Sequence, residues 1–176
     1  KQALELQKNV SIRRADRSSP IHWIGDAKLT FINSAAPASV KKLSGPDVNN
    51  MSVAARLDYH DFSILFLGDL EKQAENDLLT SGINLRATVL KVAHHGGRTS
   101  ATSETLLQVI RPKIAVVSAD YPPKGGIPNM EVIERLKQYC SKVYWTGRDG
   151  AITVSSSGSG PTEVFIGKSK IREFVD

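Results

Sequence analysis

Residues 62–100 read FSILFLGDLEKQAENDLLTSGINLRATVLKVAHHGGRTS, and their pattern decides the fold class. Phe62 to Leu67 is a continuous apolar run, as expected of a strand buried on both faces. The following LEKQAENDLLT has the spacing of an amphipathic helix. Ala87 to Ala93, ATVLKVA, reads as a second buried strand. Each strand runs into a polar loop that carries glycine: Gly68-Asp69 after the first, His94-His95-Gly96-Gly97 after the second. Ligands in layered α/β folds collect beyond the carboxyl ends of strands, so both loops are expected at one edge of the sheet. Two of the four histidines stand side by side there, which a packed core does not need.

The same alternation continues outward. SETLLQVIR is a helix, KIAVVSA a strand, NMEVIERLKQYC a helix and KVYWT a strand. GAITVSS and TEVFI are further strands, separated by the break SSSGSG. Upstream, IHWIGDAKLTFIN predicts a hairpin turning at Gly25-Asp26. SVAARLDY alternates, with Val53, Ala55 and Leu57 on one face, and YHDF turns it into the apolar run. A helical stretch at Lys1–Val10, a short strand SIRRA and a loop from Ser34 to Asn50 complete the chain. This is the pattern of an α/β layered domain. It spans residues 1–160, with the last strand and tail, residues 161–176, at its margin.

Composition narrows the function classes. The chain has 176 residues, enough for one domain with a real core. Its apolar runs fall far short of the roughly 20 residues that cross a bilayer. Lys1 is expected to be a cut edge. A single cysteine, Cys140, excludes an internal disulfide and a cysteine-based structural zinc site. Cys140 ends a helical pattern and is read as packing. The net charge of +5 is compatible with a polyanionic partner, but the basic residues are scattered.

Asp69 and the His94-His95 pair are the residue types that bind divalent metals. Local sequence offers plainer readings too. Asp69 could cap a helix beginning at Leu70, with Glu71 strengthening its first turn. His94 and His95 could be ordinary loop residues, and His22 and His60 are expected to be structural or exposed. One aspartate and two histidines do not by themselves build a two-metal site.

Three segments carry a family resemblance. NNMSVAARLDYHDFSILFLGDLEKQAENDLL, LRATVLKVAHHGGRTSATSETLLQVIRPKIAVVSAD and EVIERLKQYCSKVYWTGRDGAITVSSSG resemble the metallo-β-lactamase superfamily. The similarity is to the hydrolase domain of ComEC-type DNA-uptake proteins and their stand-alone relatives. It implies an αβ/βα sandwich of which this chain is the C-terminal portion. The family's His-x-His-x-Asp-His motif, which belongs to the first half, does not occur here. The Ser after His-His-Gly is Gly97, and a downstream Gly-His-Pro is replaced by GGIPN, Gly125 to Asn129.

The resemblance also implies roles. Two divalent ions, zinc or manganese, would activate water for attack on a phosphodiester bond of nucleic acid. Asp69 would bridge the metals. Asp69, His95 and His94 are the candidate metal ligands, with His95 favoured as ligand and His94 as the catalytic neighbour that meets substrate. Arg98, Thr99 and Ser100 would offer donors to phosphate oxygens, unless they cap the next helix. Asn50, with Asn49, is a candidate substrate contact or a loop-shaping residue. The absent first half would leave an apolar face, exposed or covered by a homodimer. A ComEC-type relative would be membrane-associated with this domain outside the cytoplasm. The alternative is a non-catalytic interaction or structural domain that keeps the fold without the metal site.

Overall fold

A computed structural model describes residues 21–33 and 48–176. The expected helix at residues 1–10, the strand SIRRA and most of the Ser34–Asn50 loop lie outside the described residues. The largest element is a seven-stranded sheet in simple sequence order. Its strands are β1 (Ile21–Ile24), β2 (Ala27–Asn33), β3 (Ala54–Tyr59), β4 (Phe62–Phe66), β5 (Val89–Lys91), β6 (Ile114–Val117) and β7 (Lys142–Trp145). β1 to β4 pair antiparallel, β1 and β2 through the hairpin at Gly25-Asp26. β4 to β7 pair parallel. The crossovers between the parallel strands carry helices α1 (Glu75–Leu79), α2 (Glu104–Ile110) and α3 (Met130–Tyr139). A short turn of helix, α4 (Thr146–Asp149), leads to a three-stranded antiparallel sheet: β8 (Ile152–Ser155), β9 (Thr162–Ile166) and β10 (Ile171–Val175).

The register explains the continuous apolar runs. Leu65, Leu90 and Ala115 stand opposite one another on neighbouring strands. They pack with Leu106, Leu107, Ile110 and Leu136 on the helix side. The adjacent row, Ile64, Val89 and Ile114, points the other way. It meets Val164 and Val175 of the small sheet. Strands apolar on both faces are therefore covered on both faces, and each fully buried Leu or Ile contributes roughly 1.5–3 kcal/mol. Cys140 belongs to the helix-side core, where burial pushes its thiol up to about 12.

Three expectations change. LEKQAENDLLT is not one helix: Lys72–Ala74 is a 3-10 turn, and α1 covers five residues. The cause is that two of its acids turn inward. Glu71 is buried and bridges to Ser100, and Glu75 Oε1 accepts the Ser103 N–H at 2.8 Å. Asp69 accordingly caps no helix. In β3, Val53, Ala55 and Leu57 do point away from the helices, but Val53 precedes the strand and is exposed, while Arg56 is buried on the helix side. Arg56 is tolerated because Nε donates to Asp58 at 2.8 Å and the guanidinium also meets the Arg86 carbonyl. Finally, the tail is structured: β10 pairs along β9 through five residue pairs.

The small sheet does not reach the whole of the main sheet. Ile24 and Phe66, on the face away from the helices, remain exposed at 64% and 38%. Among the described residues, no helix is long and apolar enough to cross a membrane.

Candidate functional site

The carboxyl ends of β4, β5 and β6 bring three loops to one edge of the sheet. The first is Gly68-Asp69. Gly68 has φ +58, and a Cβ there would lie 2.7 Å from Ser52 Cβ, so only glycine fits. The segment Asn49 to Ser52 cradles this loop. Ser52 Oγ accepts the Asp69 N–H at 2.9 Å, Asn50 Oδ1 accepts the Glu71 N–H at 2.9 Å, and Asn49 Nδ2 donates to Glu71 Oε1 at 2.7 Å. Asn50 thus shapes the loop, the second of the two roles considered for it.

The second loop is the histidine pair. His94, His95 and Gly96 all have left-handed backbone, with φ of 42, 55 and 74. For a residue with a side chain this costs roughly 1–2 kcal/mol. Long-range bonds hold it in place. The His94 N–H donates to Gly68 O at 2.9 Å, and the Asn129 N–H donates to Gly96 O at 2.8 Å. Pro128 packs under Gly96, where an added Cβ would be 3.1 Å from its Cβ. The GGIPN stretch, Gly125 to Asn129, is therefore the floor of this loop, and Asn129 also caps α3.

The third loop fixes the tautomer of His95. Its Nδ1 lies 2.7 Å from the Ser118 carbonyl, which can only accept. In the neutral ring the proton therefore sits on Nδ1, and the lone pair sits on Nε2. Nε2 faces Asp69 Oδ1 at 3.8 Å, too far for a hydrogen bond, with both side chains about half exposed. The backbone that carries the Ser118 carbonyl is held by the β7–α4 junction: Trp145 Nε1 donates to Ala119 O at 3.0 Å, and the Ala119 N–H donates to Thr146 Oγ1 at 3.2 Å.

His94 goes elsewhere. Its Nδ1 is buried 3.4 Å from Glu71 Oε1, without the alignment of a hydrogen bond. The edge thus holds an open Asp69–His95 pair and a buried Glu71–His94 pair. Of the three candidate ligands, Asp69 and His95 converge and His94 does not join them. Among the described residues, no group of three or more His, Cys, Asp or Glu is arranged to hold a metal. Asp69 Oδ1 and His95 Nε2 are nonetheless the right atoms for one: a carboxylate oxygen, and an imidazole nitrogen whose other nitrogen is held by a carbonyl.

Arg98 and Thr99 are exposed beside this edge. Ser100 is fully buried, and its hydroxyl pairs with Thr102 Oγ1 at 3.0 Å. This corrects the expectation that Ser100 offers a donor to substrate, because no substrate atom can reach it. The three residues do not cap α2 either; Ser103 does, accepting the Leu106 N–H at 3.2 Å. Two residues of the site escaped the sequence reading. Glu71 looked like an ordinary first-turn acid. Lys91 interrupts an apolar strand, a signal that was available. Burial lowers the pKa of the Lys91 ammonium, the Asp69 charge partly offsets this, and Nζ donates to Val92 O at 2.9 Å.

No family model matches the chain. It is 30% identical over 146 residues to ComE operon protein 3 of Bacillus subtilis, covering 83% of this chain and 18% of that protein. It is 36% identical over 107 residues to Recombination protein 2 of Haemophilus influenzae, covering 61% of this chain and 13% of that protein. It is 32% identical over 107 residues to Competence protein ComA of Neisseria gonorrhoeae, covering 60% and 15%. The chain spans less than a fifth of the length of these curated relatives.

Proposed function

We propose that the chain is the C-terminal portion of a metallo-β-lactamase-like αβ/βα sandwich. In this reading, the longer protein is a metal-dependent hydrolase of nucleic-acid phosphodiester bonds, working in DNA uptake outside the cytoplasmic membrane. The observation that carries the proposal is the Asp69–His95 pair, held 3.8 Å apart by a strained loop with His95 Nε2 left open. Strain of this kind persists where surrounding structure enforces it and is concentrated at functional sites. The relative named for competence supports the biological setting.

Asp69 and His95 would hold the metal, zinc or manganese. A catalytic zinc takes about three protein ligands, so the remaining ligands come from outside the described residues. When bound, a pair of divalent ions supplies Lewis acidity toward a phosphoryl oxygen. The chain's own residues do the positioning. Ser118 O fixes the His95 tautomer, Ser52 anchors Asp69, and Glu71 sits against His94. Arg98 and Thr99 offer donors to phosphate oxygens at the open side.

A second reading, a non-catalytic domain that keeps the fold, is favoured by the convergence of only two ligand residues among those described. One experiment separates the two. The longer protein, wild type and Asp69→Ala, is assayed on single-stranded DNA with manganese, with zinc and with chelator. The hydrolase reading expects metal-dependent cleavage that Asp69→Ala abolishes without unfolding the protein. The 176-residue chain alone is expected to bind metal weakly and to cleave nothing. Cleavage that survives Asp69→Ala removes Asp69 from the site, and a longer protein that binds no metal favours the second reading.

A further inference from the structure

The opposite edge of the sheet carries a second feature, independent of the Asp69 edge. A cavity of about 250 Å³ opens where the parallel strands begin, beside Ser63, Thr88 and Lys113. Four cationic side chains line it, and three of them, Arg86, Arg111 and Lys113, are exposed. Arg111 spends only Nε, on Gln108 O at 3.2 Å. Among the described residues, the side chains of Arg86 and Lys113 have no partner. Arg56 also lines the cavity, but Asp58 neutralises it.

The neutral lining groups are donors as well. Ser63 Oγ accepts the Thr88 N–H at 3.2 Å, and Thr88 Oγ1 accepts the Ser63 N–H at 3.4 Å. Each hydroxyl is used there as an acceptor, so its proton is left to donate. The acid in the lining is Asp61. A cavity rich in donors and cations, with little to accept, suits oxyanions. It is also not closed. Asp61, Thr88 and Lys113 are shared with a neighbouring cavity of about 350 Å³ that runs along the Ser156–Pro161 loop. The combined groove is longer than one phosphate needs, and its second cavity adds one acid, Asp176, so the unneutralised cations Arg86, Arg111 and Lys113 face Asp61 and Asp176.

We propose that this groove is a second nucleic-acid contact, binding the phosphate backbone of a single strand without reading its sequence. Arg86, Arg111 and Lys113 neutralise phosphates, and Ser63 and Thr88 donate to their oxygens. The aromatic residue in the lining, Phe62, is buried in the core under the small sheet, so binding is electrostatic rather than by base stacking. The groove lies at the amino ends of strands whose carboxyl ends carry Asp69 and His95. It therefore anchors a strand away from the site of any cleavage.

The test is fluorescence anisotropy of a labelled 20-nucleotide oligo-dT against the whole 176-residue chain over a series of salt concentrations. Cleavage is not the readout, so failure of the hydrolase reading leaves the result interpretable. Arg86→Ala/Lys113→Ala is compared with the charge-matched pair Lys124→Ala/Lys137→Ala. The groove pair is expected to weaken binding about tenfold at low salt. It should also lower the slope of log K against log salt by about 1.4, two phosphate contacts at about 0.7 each. The control pair is expected to stay within about twofold. Equal losses in the groove and control pairs would overturn the proposal, as would absence of binding by the wild type. Displacement of the oligonucleotide by millimolar inorganic phosphate would overturn the strand as occupant. So would binding of phosphatidylglycerol vesicles without binding of the oligonucleotide.

Discussion

Single residues at the carboxyl edge are held in conformations that local sequence does not favour. Gly68 combines φ +58 with a Cβ position 2.7 Å from Ser52. Gly68→Ala must therefore strain the backbone and displace Ser52, which anchors the Asp69 N–H at 2.9 Å. The expected cost is about 2–4 kcal/mol, from left-handed backbone strain plus a steric clash. Urea unfolding measures it, and a loss under 0.5 kcal/mol would contradict the cradle as described. His94 and His95 carry similar strain, and bonds from distant segments pin them. That long-range support, rather than the histidines alone, makes the pair a site.

At the level of elements, the short turns between strands and helices carry charge pairs that tie them down. The β7–α4 junction is one. Asp149 accepts from the Trp145 N–H at 2.8 Å and from Arg148 Nη2 at 2.7 Å. Burial works to raise the Asp149 carboxyl. The bonds from Arg148 and Trp145, with the Arg148 and Lys168 charges, outweigh it and hold the pKa below the ordinary carboxylate value. A carboxyl with a depressed folded pKa contributes stability above its unfolded pKa, near 4, and loses it as pH falls through the folded value. Asp149→Asn is therefore expected to be less stable than wild type at neutral pH, with the gap narrowing below about pH 4. Thermal unfolding at pH 7, 5, 4 and 3 reads this out, and parallel curves down to pH 3 would refute it.

At the scale of the whole molecule, the described residues form two core clusters on opposite faces of one sheet. Leu90 lies in the helix-side cluster and Val164 in the cluster under the small sheet, both fully buried. The strands between them are apolar on both faces, so neither layer buries its apolar row without the other. Leu90→Ala is expected to cost about 3–4 kcal/mol and Val164→Ala about 1–3 kcal/mol. Both should shift one cooperative transition. If Val164→Ala instead melted the small sheet in a separate earlier step, seen as non-coincident fluorescence and far-UV signals, the two layers would be independent.

Sequence alone determined the alternation of buried strands and helices, the hairpin at Gly25-Asp26, and the meeting of the Asp69 loop with the His94-His95 loop at one edge. These follow from apolar periodicity, a local property, and from the strand-helix alternation that makes successive buried strands run parallel. It did not determine how the polar side chains between those elements are spent. The helix after Asp69 breaks because Asn49 and Ser103 draw Glu71 and Glu75 inward, and His94 turns to Glu71 rather than to Asp69. Arg56 enters the core because an Asp and a carbonyl wait for it. The basic groove draws its charges from residues 86, 111 and 113, which only the packing of consecutive crossovers brings together. Periodicity records which face of an element is apolar. Which distant donor or acceptor satisfies a buried polar atom is settled only when the layers close, because leaving that atom unpaired costs about 1–3 kcal/mol.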